Sequence, residues 1–265
     1  MTKIAFITGA SSGMGQRMAY LLSGGKSAPD EVWLLSRRED RLSKLAEALE
    51  TRNPALKARV IAKDLMNPED IREIAALLAE RRPGITFLVN AAGFGKIGSV
   101  AELPLSAQTD MIRLNCEALT AVTRLCLPYM VKGKGRIINF ASAAAFLPQP
   151  RFAVYAATKA FVLSFSRALS EELSKDGIAV TAVCPGPVRT EFFDIAEELH
   201  AVPLYKKLAM ADADRVVARA FRDSMKRKRV SVYGMTMRLF ALSAKLLPAG
   251  FFFFFIRIIN SRRNG

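Results

Sequence analysis

Short apolar runs alternate along this chain with longer stretches of helical period, and a covered parallel sheet is the architecture that accommodates that order. The runs are Lys3–Thr8, Glu31–Ser36, Lys57–Ala62, Thr86–Asn90, Gly135–Ala141, Ala179–Cys184 and Val230–Tyr233. Each has the length of one strand, and most are rich in Val, Ile or Phe on successive positions. That pattern marks strands buried on both faces rather than on one. Helical periods fall near 14–23, 38–51, 68–81, 105–131, 152–175 and 212–228. One helix start is well marked, with Asn67 as N-cap, Pro68 at the first helical position and Asp70 in the first turn. No internal repeat or flexible linker interrupts the series. The predicted fold is α/β: one domain over 1–234, a doubly wound parallel sheet of about seven strands with helices on both faces. A C-terminal amphipathic, hydrophobic helical tail over 235–265 follows.

Directly after the first run comes Thr8-Gly9-Ala10-Ser11-Ser12-Gly13-Met14-Gly15, opening into a helix. Glycines there permit a tight turn, close backbone approach to a pyrophosphate and close helix–strand packing. The free N–H groups of the helix start face the anion. With a strand before it and a helix after it, the stretch predicts a Rossmann-type dinucleotide site. The second strand indicates which dinucleotide. An acidic residue at its end would accept from a ribose 2′-hydroxyl, but this chain has Ser36-Arg37-Arg38. No carboxylate repels a 2′-phosphate, and Arg37 can pair with one as a fork. NADP(H) is therefore the expected cofactor. Cations at the start of a helix oppose its dipole, a second sign of an anionic ligand.

Further along, Asp64-Leu65, Asn90-Ala91-Ala92-Gly93, Asn115, Ser142, Tyr155-Ala-Ala-Thr-Lys159 and Pro185-Gly186-Pro187-Val188-Arg189-Thr190 follow the glycine turn in order. On these motifs, residues 3–190 resemble the short-chain dehydrogenase/reductase family. The resemblance implies that Asp64 and Asn90 frame the adenine and the ribose, with Leu65, Ala91 and Gly93 also binding the cofactor. It implies that Lys159 contacts the nicotinamide ribose, and that Asn115 holds a backbone carbonyl and a water leading to Lys159. The backbone of Val188 would face the carboxamide, with Thr190 on the carboxamide or a phosphate, and Pro185 and Gly186 would also bind the cofactor. It further implies a homodimer or homotetramer.

The residues carry a chemistry of their own. Tyr155 and Lys159 are four apart in a helical pattern and share one face. A free tyrosine near pKa 10 is a weak base, and an ammonium one turn away is expected to bring it down. A phenol so tuned can both give and take a proton. Ser142, just past a strand, can donate to a carbonyl oxygen. The expected catalytic set is Asn115, Ser142, Tyr155 and Lys159, and the expected reaction is reversible hydride transfer between a secondary alcohol and its ketone. The candidate pocket residues Phe94, Ala144, Phe146, Phe192 and Leu199 are mainly apolar, which suits a lipophilic, hydroxysteroid-like substrate. A 3-oxoacyl thioester is the second choice. A catalytically silent NADP(H)-binding regulator would have lost this relay.

The net charge of +15 points at first to nucleic acid. Residues 1–200 hold 25 Lys+Arg against 21 Asp+Glu, however, so most of the excess lies in 201–265, which ends in a phenylalanine-rich tail and contains no nucleic-acid module. In that tail Met235, Leu239, Leu242 and Leu246 form one helical stripe flanked by Arg238 and Lys245, before Phe251–Phe255. Its longest uncharged run, 246–256, is too short to span a bilayer. Two readings remain open: an interfacial segment on anionic lipid, which the mixture of cations and apolar residues favours, or burial against a partner subunit or across the pocket. The single histidine, His200, excludes a multi-His metal site, and no metal is expected. Three separated cysteines and the lack of a signal-like leader predict the cytoplasm, with peripheral contact at the membrane face.

Overall fold

The computed structural model describes residues 1–25, 28–192, 196, 210–248 and 250–252. Its seven strands are β1 (Lys3–Thr8), β2 (Glu31–Ser36), β3 (Lys57–Ala62), β4 (Gly84–Asn90), β5 (Arg136–Phe140), β6 (Ala179–Val183) and β7 (Val230–Ser231). They form one parallel sheet in the order β3-β2-β1-β4-β5-β6-β7. The expected Rossmann-type, doubly wound sheet is therefore observed. Among the described residues the helices are α1 (Gly13–Leu22), α2 (Glu39–Arg52), α3 (Pro68–Arg81), α4 (Leu105–Ile112), α5 (Leu119–Cys126), α6 (Ala153–Glu172), α7 (Ala213–Met225) and α8 (Met235–Leu246).

Strand alternation supplies both cores. Ala5, Ile7, Val32, Leu34 and Val89 pack with Met18, Leu42, Leu45 and Val217 of α1, α2 and α7. Ile4, Phe6, Trp33, Leu35 and Leu88 pack on the other face with Ile74, Val122 and Leu169 of α3, α5 and α6. Successive residues of β1 are thus buried in opposite cores, which is why its sequence is apolar without interruption.

The start of α3 follows its sequence signal, since the Asn67 side chain accepts from the Glu69 N–H at 3.0 Å. The stretch 105–131 is more broken than a single helical period implies. It divides into α4, a π-helical turn over Arg113–Ala118, α5 and a 3-10 turn over Leu127–Tyr129. Pro128 ends the regular helix by removing an N–H donor. The π turn coincides with Asn115, whose side chain is bonded outside the helix.

The order reverses between β1 and β4, and at their carboxyl ends Thr8 pairs with Asn90. A crevice at this switch point is where an open α/β sheet binds its ligand. Two glycines make the crevice. Gly9 has φ of +65°, and a Cβ there would stand 2.7 Å from the Ala92 nitrogen. A Cβ on Gly15 would collide with the Gly9 carbonyl oxygen. Gly9→Ala is thus expected to force the turn away from residues 91–92. The check is a fall of at least about 2 kcal/mol in unfolding free energy.

Candidate active site

The crevice opens into a cavity of about 450 Å³. One end is lined by Gly9, Ser11, Ser12, Gly13, Met14, Ser36, Arg37, Arg38, Asp64 and Leu65, the middle by Ala91, Gly93 and Thr190, and the other end by Phe94, Tyr155, Lys159 and Phe192. Residues far apart in sequence thus share one space, in the arrangement that a dinucleotide and a substrate would need.

At the anion end, α1 presents its unpaired first-turn N–H groups behind the glycine turn. Arg38, rather than Arg37, is the cation held in place. Its Nε and Nη2 donate to Ser11 Oγ at 3.1 and 3.0 Å, and Nη2 also donates to Ser12 Oγ at 2.8 Å. Its remaining nitrogen pairs with Glu191 at 3.1 Å, and Glu191 also binds Arg41 at 2.6 Å. Arg37 is largely exposed and lies 3.8 Å from Asp64. Both arginines line the cavity, and only Arg38 is bonded to the serine hydroxyls of the glycine turn.

At the other end, α6 carries Tyr155 and Lys159, both buried. Ser142 stands near the Tyr155 phenol and favours its ionised form. Ser142 caps the short turn Ala143–Phe146, its Oγ accepting from the Ala144 N–H at 3.1 Å. The expected lowering of the phenol pKa is not found. Burial pushes Tyr155 up to about 12, and the nearby Ser142 hydroxyl offsets only part of the rise. Lys159 does not relieve it, because its Nζ donates to the Phe140 carbonyl at 2.9 Å and lies 5.7 Å from the tyrosine ring centroid. Burial in turn lowers Lys159 to about 8. Desolvation outweighs the pairwise attraction that spacing alone suggests.

Asn115 is 1% exposed and satisfied on both sides. Its Nδ2 donates to the Phe94 carbonyl at 2.9 Å and to Thr158 Oγ1 at 3.0 Å, while its Oδ1 accepts from the Phe94 N–H at 3.1 Å. The amide thereby fixes the backbone that forms one wall of the cavity. Gly93 permits this closeness, since a Cβ there would sit 2.7 Å from Asn115 Oδ1.

Other expected positions lie differently. The Asn90 side chain turns under the sheet ends, where its Nδ2 donates to Asn139 Oδ1 at 2.8 Å and to Thr123 Oγ1 at 3.0 Å in a buried network. The Pro185 carbonyl accepts from Ala143 N–H, and Gly186 lies against Met237 of α8. Val188 is buried against Ala213 and Val216, while Thr190 approaches Gly13 of the glycine turn. Of the substrate candidates, Phe94, Ala144 and Phe192 gather around Tyr155. Phe146 instead lines a separate apolar groove with Leu147, Pro148 and Ala157. Leu199 lies outside the described residues. Phe152 was not legible in advance: its ring stacks on Tyr155 with centroids 4.2 Å apart, and Phe192 meets the same ring at 5.4 Å. The spacing of Phe152 three residues before Tyr155 is the only sequence signal it offers.

A dinucleotide-type crevice joined to a buried Tyr155 and Lys159 beside Ser142 defines a class of nucleotide-dependent oxidoreductases. Residues 3–199 match the family model described as short chain dehydrogenase, and the chain belongs to that family. It is 33% identical over 189 residues to an uncharacterized oxidoreductase of Staphylococcus epidermidis, covering 71% of this chain and 79% of that one. Among solved structures it is similar to a short-chain dehydrogenase from Sphingobium yanoikuyae in complex with NADPH, with TM-score 0.79, 30% identity and coverage of 92% and 93% of the two chains. It is also similar to a bulky-bulky ketone specific alcohol dehydrogenase from Comamonas testosteroni, with TM-score 0.72, 28% identity and coverage of 89% and 87%. The chain is accordingly an oxidoreductase of the short-chain dehydrogenase type.

Proposed function

We propose that the protein is an NADP(H)-dependent oxidoreductase that interconverts a lipophilic secondary alcohol and its ketone. The observation that carries this reading is the single cavity lined by Ser11, Ser12 and Arg38 as well as by Tyr155 and Lys159, with Arg38 bonded to both serines. The glycine turn fits a pyrophosphate, because side chains at Gly9 or Gly15 would close the cradle. When bound, the cofactor supplies the hydride. Arg38, Ser11 and Ser12 would hold its 2′-phosphate, the first turn of α1 would meet the pyrophosphate, and Lys159 would contact the nicotinamide ribose. Residues 1–234 form the catalytic unit and 235–265 an appended segment that meets lipid; the oligomer is a homodimer or homotetramer, as in the family.

In the reducing direction Tyr155 gives its proton to the substrate oxygen. A phenol near 12 is fully protonated at neutral pH and so enters the reaction as an acid. Ser142 donates a second hydrogen bond to the same oxygen and steadies the charge developing there. Phe94, Phe152 and Phe192 exclude water around the phenol and supply an apolar wall for the substrate. The bulky-ketone specificity of the Comamonas neighbour and the NADPH complex of the Sphingobium neighbour support the substrate class and the cofactor.

The test is NADPH oxidation against ketosteroids, 3-oxoacyl thioesters and small water-soluble ketones. The highest kcat/KM is expected for a bulky ketosteroid; a thioester optimum would move the substrate to lipid-chain reduction, and no turnover with any of them would overturn the enzyme reading. Cofactor choice has its own check by fluorescence titration. Arg38→Ala should weaken NADPH by about tenfold or more while leaving NADH nearly unchanged, since a charge-assisted contact is lost only from the phosphorylated ribose. Equal weakening of both would remove the 2′-phosphate role.

A further inference from the structure

We infer that α8 is a docking surface for an anionic lipid bilayer and that it brings the catalytic segments to the membrane surface. This rests on the lipophilic-substrate reading above and names where that substrate is met. An ordinary surface helix turns its apolar stripe toward the core. Here the arrangement is reversed. Met235, Leu239, Leu242 and Leu246 recur at helical spacing within about 60° of arc, and all four face solvent, Leu239 at 60% and Leu246 at 70% exposure. No residue of α8 is fully buried. Leu247 and Phe251, just beyond the helix, extend the exposed apolar surface.

The opposite side of α8 holds the helix to the body. Met237 packs on Gly186, while Arg238, at the edge of the stripe, donates from Nε to the Val232 carbonyl at 3.3 Å. The helix also contacts the Ala143–Phe146 turn, which begins at Ser142. A surface seated on the stripe therefore lies about one helix diameter, roughly 10 Å, from the segment carrying a catalytic hydroxyl.

Charge selects the occupant. Residues 235–265 contain five Lys+Arg and no Asp or Glu, and Arg238 and Lys245 flank one side of the stripe. A second copy paired through this face would set those cations against their own counterparts with no carboxylate between them. Anionic headgroups neutralise them while the leucines enter the acyl boundary. No described helix is long and apolar enough to cross a membrane, so α8 lies in the interface plane.

The test uses the full chain with vesicles of phosphatidylcholine alone and mixed with phosphatidylglycerol. Sedimentation with the mixed vesicles is expected, weakened by salt. The partition coefficient should fall at least about tenfold in Leu239→Gln/Leu242→Gln. Turnover of a water-soluble ketone, read in parallel without vesicles, should be unchanged by the double substitution. Equal sedimentation of the two proteins would overturn the inference. So would failure of the native chain to bind mixed vesicles, whether or not the substitution dissociates a dimer; dissociation would assign the stripe to a second copy. Absence of turnover by the native chain with every ketone would strike the enzymatic proposal instead and leave the vesicle result standing.

Discussion

Tyr155→Phe is expected to lower ketone reduction by about a thousandfold, the scale of a lost general acid. The substitution removes one oxygen from a ring clamped between Phe152 and Phe192, so the apolar packing survives. Ser142 keeps the Ala144 N–H as donor to its hydroxyl, so the short turn it caps is also retained. Binding of NADPH should stay within about twofold of the native value, because the glycine turn and Arg38 are untouched. The discriminating measurement is single-turnover reduction beside a cofactor titration. A variant with native affinity and substantial turnover would show that another group delivers the proton.

Lys159→Met is expected to make the cofactor-free protein more stable at neutral pH while destroying its activity. Burial lowers the ammonium from 10.5 to about 8. Between those values the unfolded chain holds a proton that the folded chain has released, so stability rises with pH across that window. Below pH 8 both states are charged, and the folded state bears the full difference, roughly 3 kcal/mol. Methionine removes that cost but also the bond to the Phe140 carbonyl, worth about 1 kcal/mol. The net gain of about 2 kcal/mol corresponds to a rise of about 5 °C in Tm at pH 7. The advantage should shrink as pH is raised toward 10. Tyr155 acts in the opposite sense higher up: its pKa is raised from 10.0 to about 12, so its contribution is lost as pH rises across that interval. Thermal unfolding of both proteins at pH 7 and 10 checks the pair. A variant less stable than native at pH 7 would mean that the ammonium is stabilised by the fold and not merely tolerated.

The sheet was legible because its strands are apolar on consecutive residues and bounded by turn-forming or polar ones, and three strands match their expected limits residue for residue. Of the ordered motifs, the glycine turn, Asp64-Leu65, Ala91–Gly93, Tyr155, Lys159 and Thr190 line one cavity. What escaped were effects that depend on the third dimension. Arg37 and Arg38 are adjacent and chemically alike, and only the position of two serine hydroxyls distinguishes them. The tyrosine–lysine spacing indicates proximity but not that the ammonium points at a carbonyl, nor that burial dominates the phenol. Asn90 sits at the end of a strand beside the crevice, yet its side chain turns inward to Asn139. An amphipathic stripe gives the period of α8 but not which side meets the body.

The central place of β1 also bears on biosynthesis. When the first three strands have left the ribosome, β2 covers one edge of β1, but the other edge has no partner until residues 84–90 arrive. That unpaired apolar border is the most aggregation-prone moment of assembly. The crevice does not exist before that moment either, since Gly9 closes on residues 91 and 92. A ligand held there would act as a brace across the seam between the early and late halves of the chain, favouring the joined state over either half alone.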